Sequence, residues 1–207
     1  MNYDANKKEI VCNKKLNSLD KFVLDFVNLL ENYVIVSGYV SILLGRSRAT
    51  EDVDLLVPHI DKEDFESLWV RVQEKNFWCI NTSSVNEAFD MLKGHAVRFA
   101  RKGEPIPNIE FKIIKTDLDK YSYENKIRVI LGNDNIFISP LEMQIAYKLF
   151  LAADGIDEEL ESDKDIEDAK HLYKVFEEKI NKDELLVLVS KLNVNSLARN
   201  PHSLMCG

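Results

Sequence analysis

The chain has 207 residues, 45% of them apolar in type and 30% charged, a composition that supports one real core and excludes wholesale disorder, a solenoid array or a disulfide-stapled miniprotein. Lys and Arg number 27 against 35 Asp and Glu, so the net charge is −8; an acidic chain has no overall attraction for a phosphate backbone, and extended nucleic-acid binding is not expected. The longest uncharged run, 32–45, covers 14 residues and contains Ser37 and Ser41, too short and too polar to span a bilayer.

The first fifteen residues are charged, lack the apolar stretch of a secretory signal, and read as loosely held. Leu16, Leu19, Val23, Phe26 and Leu30 then recur at steps of three and four, which predicts an amphipathic helix over 17–31. Residues 33–36, a short Val- and Ile-rich run ended by Ser37-Gly38, read as a buried strand turning into a second helix through Leu44. A loop over 45–51 leads to a strand at 52–57 stopped by Pro58, and Phe65, Leu68, Trp69 and Val72 mark the next helix. Strands are expected at 77–80, 96–100 and 109–114, with 128–131 and 136–138 as the arms of a hairpin around Gly132-Asn133.

From there the pattern is helical. Ser139-Pro140-Leu141-Glu142 combines a capping box with a proline at the first helical position, a start signal for a helix to residue 153. A second begins at 162 or 163 with Ile166, Ala169, Tyr173 and Phe176 on one face, and a third covers 182–192. The expected class is α/β (α+β): a mixed-sheet core flanked by helices over 1–138, with 1–15 flexible, then a C-terminal helical unit over 139–207. Trp69 and Trp78 read as core or pocket wall, and His59, His95, His171 and His202 have no metal-ligand spacing. Cys12, Cys79 and Cys206 are odd in number and far apart, which fits reduced thiols in a cytoplasm.

The most informative stretch is 34–57. Strand side chains alternate faces, so Asp52 and Asp54 project together while Val53, Leu55 and Val57 enter the core. Two carboxylates about 4 Å apart at an effective dielectric near 20 repel by roughly 4 kcal/mol, which a divalent cation or a proton must offset, and hard oxygen ligands suit Mg²⁺. On residue types alone, a strand entering from solvent with two exposed acids is the favoured reading of the pair, and context reverses it. Thirteen residues separate Asp52 from Ser37-Gly38, a small-residue turn with free backbone N–H groups at a helix start, the ordinary recipe for a phosphate. A phosphate cradle beside a metal-binding carboxylate pair describes phosphoryl or nucleotidyl transfer.

With Val36-Ser37-Gly38, thirteen residues, and Asp52-Val53-Asp54-Leu55, the chain resembles the nucleotidyltransferase superfamily that includes DNA polymerase beta and the tRNA and aminoglycoside nucleotidyltransferases. Ser37 stands where the superfamily pattern has its first glycine. The loop Arg46-Ser47-Arg48-Ala49-Thr50-Glu51 resembles the small prokaryotic branch related to abortive-infection (AbiEii-like) toxin nucleotidyltransferases, with a basic residue and a Thr before the acid pair. The resemblance implies a mixed-sheet nucleotidyltransferase core, two Mg²⁺ ions (or Mn²⁺) on Asp52, Asp54 and a third carboxylate, and a nucleoside triphosphate held by Ser37, Gly38, Arg48 and Thr50. The third carboxylate is Glu110 in Asn108-Ile109-Glu110-Phe111-Lys112, whose alternative reading is an edge-strand acid paired with Lys112.

Lys148 is the one charge between Glu142 and Asp154 on a helix apolar nearly all round, so it needs an anionic partner or must snorkel to water. The resemblance implies that it reaches the triphosphate, with Asp165 or Asp168 orienting it. Residues 154–168 hold nine acids and one lysine, a pattern of a solvated loop and a helix start. The expected activity is metal-dependent transfer of a nucleoside monophosphate from a triphosphate to a hydroxyl of an unassigned acceptor (an RNA end, a protein or a small molecule), with release of pyrophosphate, in the cytoplasm. A catalytically silent nucleotide-binding or toxin–antitoxin-type protein on the same fold is the alternative.

Overall fold

The computed structural model describes the backbone of residues 1–154 and 159–192 and the side chains of residues 1–153 and 163–192. The chain opens with two short antiparallel strands, β1 (Asn2–Asp4) and β2 (Glu9–Val11). This corrects the expectation of a loose N-terminus: Ile10 is fully buried, and β2 lies parallel to a strand far along the chain, a partner no local pattern announces. Helix α1 (Ser18–Val27) starts at a capping box, the Asn17 side chain accepting from the Asp20 backbone and the Asp20 carboxylate accepting from that of Asn17. Fully buried Asp20 also accepts from Lys14 Nζ at 2.9 Å and from the Tyr39 hydroxyl at 3.0 Å.

Strand β3 (Val34–Val36) turns at Ser37 into helix α2 (Gly38–Leu43), and the loop after it enters β4 (Asp52–Val57), whose bounds are those expected. Helix α3 (Lys62–Glu74) follows, then β5 (Phe77–Cys79), α4 (Val85–Met91), β6 (Val97–Arg101), β7 (Glu104–Ile113) and α5 (Asp117–Glu124). The hairpin arms are β8 (Ile127–Leu131) and β9 (Asp134–Ile138), and three helices close the described chain: α6 (Leu141–Asp154), α7 (Glu159–Phe176) and α8 (Lys182–Lys191). Helices α4 and α5 were not expected, and β7 starts at Glu104 rather than Ile109. Trp69 is buried as expected, whereas Trp78 lies on the surface and donates its indole N–H to Arg101 O.

All the described strands join one mixed sheet in the order β1-β2-β8-β9-β3-β4-β7-β6-β5. Strands β4 and β7 are parallel neighbours, with Asp52 opposite Asn108, Asp54 opposite Glu110 and Leu56 opposite Lys112. Since alternate residues share a face, Val53, Leu55, Ile109 and Phe111 point one way, and helices α1 and α3 cover them: Phe26 and Trp69 pack on Phe99, and Phe65 on Phe111. The opposite face carries Asp54, Leu56, Glu110 and Lys112, where α5 packs on β3 and β4. Helix α6 packs against α7 and α8, and α7 also reaches α2. Glu142 does not act as the capping-box acid of α6 in the expected way; its carboxylate accepts from the Asn181 backbone at 2.8 Å and so ties the start of α6 to that of α8.

Candidate active site

The turn between β3 and α2 shows why a small residue stands there. Ser37 has φ 63° and ψ −139°, backbone territory that favours glycine, so the chain keeps a glycine-like conformation at the position where the sequence has serine. Gly38 answers a second demand. A Cβ built on it would lie 2.7 Å from Arg48 Nη2, so the lack of a side chain is what lets the guanidinium approach the turn. Helix α2 is only six residues long, which makes its dipole weaker than the sequence expectation assumed.

Asp54 and Glu110 come from separate strands and meet at one ammonium: Lys112 Nζ lies 2.6 Å from Asp54 Oδ1 and 2.7 Å from Glu110 Oε2. Arg98, opposite Glu110 on β6, binds its other oxygen, with Nε at 2.9 Å and Nη2 also in contact. Strand β7 lies between β4 and β6, so Glu110 is an interior-strand acid, although the pairing with Lys112 that the sequence allowed is real. Thr50 steadies Asp52, its hydroxyl lying 3.0 Å from Asp52 O and 3.3 Å from Oδ1.

The two carboxylates titrate in opposite directions. Burial pushes the Asp54 carboxyl above its ordinary value, with Lys112 opposing and Glu110 and Asp52 adding to the rise. Burial also acts against ionisation of Glu110, but the hydrogen bonds from Lys112 and Arg98 outweigh it and hold that carboxyl below its ordinary value. Lys112 is likewise desolvated by burial, yet its two carboxylates keep it firmly charged.

Among the described residues, no three His, Cys, Asp or Glu side chains are gathered tightly enough to cage a metal ion as they stand. The physical reason is visible at Lys112, whose ammonium fills the point where Asp54 and Glu110 converge. The donor set nevertheless suits a hard cation: two carboxylate oxygens already reach a single positive charge. Asn108, opposite Asp52, adds a buried amide oxygen that no hydrogen bond satisfies, its Nδ2 being committed to Glu51 O at 3.1 Å. Sequence reasoning passed over Asn108, though its place two residues before Glu110 puts it on the same strand face.

A cavity of about 370 Å³ opens beside these groups, with Ser37, Asp54 and Lys112 on one side and Leu118, Tyr147 and Phe150 on the other. Arg48 and Thr50 do not line it; they border a separate cleft of about 630 Å³ with Lys21 of α1 and Pro107 of β7. Lys148 lines neither. It is almost wholly buried and holds Asp165 Oδ1 at 2.5 Å and Asp168 Oδ2 at 3.5 Å, so the snorkelling alternative is excluded. Asp168 also receives Arg48 through Nε at 3.0 Å and Nη2 at 2.7 Å, and Arg46 binds Glu167. The acidic run is thus solvated only in part: Asp165 and Asp168 are buried, while residues 155–158 lie outside the described chain.

No protein-family model matches this chain, and no curated protein matches it. Among solved structures, an antigenic nucleotidyltransferase-like protein from Paracoccidioides brasiliensis superposes with a TM-score of 0.52 at 17% identity, over 88% of this chain and 91% of that one. The antibiotic-resistance factor ANT(2'')-Ia superposes with a TM-score of 0.56 at 12% identity, over 88% of this chain and 95% of its own. The fold is therefore that of nucleotidyltransferase-like proteins, a mixed α/β sheet followed by C-terminal helices. No helix among the described residues is long and apolar enough to cross a membrane.

Proposed function

We propose that the protein moves a nucleoside monophosphate from a nucleoside triphosphate to a hydroxyl of an acceptor with release of pyrophosphate, served by Mg²⁺ or, in its place, Mn²⁺. The observation that supports this most is the meeting of Asp54 and Glu110, from separate strands, at one cation beside the Ser37 turn and at the wall of a cavity of about 370 Å³. Asp52, Asp54 and Glu110 would hold the metal, and bound there it supplies positive charge against the triphosphate and acidity to a coordinated hydroxyl.

The chain's own residues do the rest. Leu118, Tyr147 and Phe150 form the apolar wall against which the nucleoside rests and which keeps water out. Ser37, at the wall of the cavity, and Gly38, which follows it in the turn, would hold the phosphates. Arg48 and Thr50 fix the loop that delivers Asp52, and Lys148, with Asp165 and Asp168, braces Arg48 from behind. Glu110, kept ionised by Lys112 and Arg98, orients the acceptor hydroxyl. The acceptor oxygen bonds to the α-phosphorus, the bond from that phosphorus to the bridging oxygen breaks, and its electron pair leaves with pyrophosphate. The hydroxyl proton passes to a site carboxylate and on to water.

The likeness of the loop 46–51 and of Lys148, Asp165 and Asp168 to the AbiEii-like pattern supports a place in that branch, and the free thiols of Cys12 and Cys79 support a cytoplasmic site of action. One observation favours the catalytically silent alternative, a nucleotide-binding or toxin–antitoxin-type protein: Asp54 and Glu110 are already answered by Lys112 and Arg98. Incubation with α-labelled triphosphates and Mg²⁺ in a lysate of the source cell distinguishes the two. Label should join an acceptor with the wild type and fall by roughly a hundredfold or more with Asp54→Asn. Equal labelling by both proteins sinks the mechanism, and Mg²⁺-dependent nucleotide binding without transfer favours the silent form.

A further inference from the structure

We infer that Lys112 is an intramolecular cation that closes the metal site of the ligand-free protein, and that a divalent ion enters by displacing its ammonium toward the neighbouring cavity. The inference rests on the transferase reading above and deepens it, by making metal uptake depend on the nucleotide. Its ground is geometric. Lys112 Nζ lies 2.6 Å from Asp54 Oδ1 and 2.7 Å from Glu110 Oε2, so it holds the two oxygens that a metal shared by those carboxylates would need.

Charge points the same way. Asp54 and Glu110 carry two negative charges and Lys112 with Arg98 returns two positive ones, so among the described residues Asp52 is the one uncompensated acid of the three, and a divalent ion arriving alone meets a group already largely neutralised, with a cation between Asp54 and Glu110. Lys112 has somewhere to go. Its side chain is 36% exposed, it already lines the cavity of about 370 Å³, and its four-carbon stem can swing while β7 stays fixed. A triphosphate in that cavity gives the displaced ammonium a new anionic partner, which free Mg²⁺ does not. Metal and nucleotide therefore bind together, and the bare metal binds poorly.

Mn²⁺ binding to the intact chain, followed by electron paramagnetic resonance, tests this. Without nucleotide, Lys112→Gln should take up Mn²⁺ on the order of tenfold or more tightly than the wild type, and Lys112→Arg, which restores a cation, should bind as weakly as wild type. Lys112→Met, which keeps the apolar stem, runs beside Lys112→Gln so that poor folding of one variant leaves the comparison standing. Equal Mn²⁺ affinity in all the nucleotide-free proteins overturns the inference, as does tight Mn²⁺ binding by the wild type alone. A second arm adds a triphosphate with a methylene α,β-bridge. Wild type that gains Mn²⁺ only with this analogue keeps the transferase reading even if Lys112→Gln shows no gain. Wild type that binds Mn²⁺ in neither arm removes that reading and the inference with it.

Discussion

Two clusters of charge flank the loop that leads into β4. On the sheet, Asp54 and Glu110 gather around Lys112 and Arg98, with Asp52 a third acid, unpaired among the described residues, whose charge reaches Asp54 and Arg98, and the bases are 36% and 50% exposed. Between α6, α7 and the loop 46–51, Lys148, Arg46 and Arg48 meet Asp165, Glu167 and Asp168, three against three, with the Lys148 side chain 3% exposed and Asp168 not at all. The first is unbalanced and open to solvent, so its partners can be exchanged for a ligand. The second is balanced and, Glu167 and Arg46 apart, largely dry, so removing Asp168 leaves its partners stranded. Similar residue types thus stand open to solvent in one place and sealed from it in the other.

The largest effect should come from breaking the balanced cluster. Asp168→Ala strands Arg48 and part of the Lys148 charge, and urea unfolding should show a loss of about 3–5 kcal/mol. A value near zero would mean that this cluster is no more fixed than the open one. Gly38→Ala attacks the same arrangement from the turn, because its methyl would stand 2.7 Å from an Arg48 nitrogen that Asp168 holds through two hydrogen bonds. The expected cost is about 1–3 kcal/mol, read by thermal melting, together with weaker nucleotide binding.

Glu142 sharpens the contrast, being a buried acid whose carboxylate is answered by a backbone N–H. Burial raises its carboxyl above the ordinary value, the Asn181 N–H opposing and Glu184 adding to the rise. A raised carboxyl contributes stability that is full below the ordinary glutamate value of about 4.3 and is lost as pH climbs through the folded value. Glu142→Gln keeps an oxygen for Asn181 without that loss, so at neutral pH it should be more stable than wild type by about 1 kcal/mol. Melting curves across pH should show the difference vanish below about pH 4. The smallest change is Ser37→Gly. It relieves a strained φ but frees the unfolded chain, so the net gain should be at most about 1 kcal/mol. A clear loss in differential scanning calorimetry would show that the Ser37 side chain, not the backbone shape, matters at this turn.

Much of the core was readable because its signals are local. The alternation over 52–57 marked both faces of β4, and the spacing of Phe65, Leu68, Trp69 and Val72 marked α3. What escaped was either short or completed from far away. Strand β2 depends on β8, and α4 and α5 bury little on their own account, Ala88 and Ser122 being their buried residues. A signal for α5 was present, since Thr116 and Asp119 form a capping box, but no apolar stripe followed it. At the site, the pairing of Asp54 with Glu110 needed the β4–β7 register, which sequence periodicity does not carry. Lys112 was legible as a partner of Glu110; its simultaneous hold on Asp54 was not, because that contact exists only once the strands lie side by side. Lys148 was legible as a buried cation in want of an anion, and the acids that satisfy it arrive from α7.

The contacts across Asp168 bear on how the protein could be shortened. Ending the gene after residue 138 discards the carboxylates that grip Arg46 and Arg48, along with α6, whose Tyr147 and Phe150 wall the cavity. Such a fragment would leave two arginines without those acids beside the turn at Gly38, and soluble expression should require both halves of the coding sequence in one transcript or supplied together.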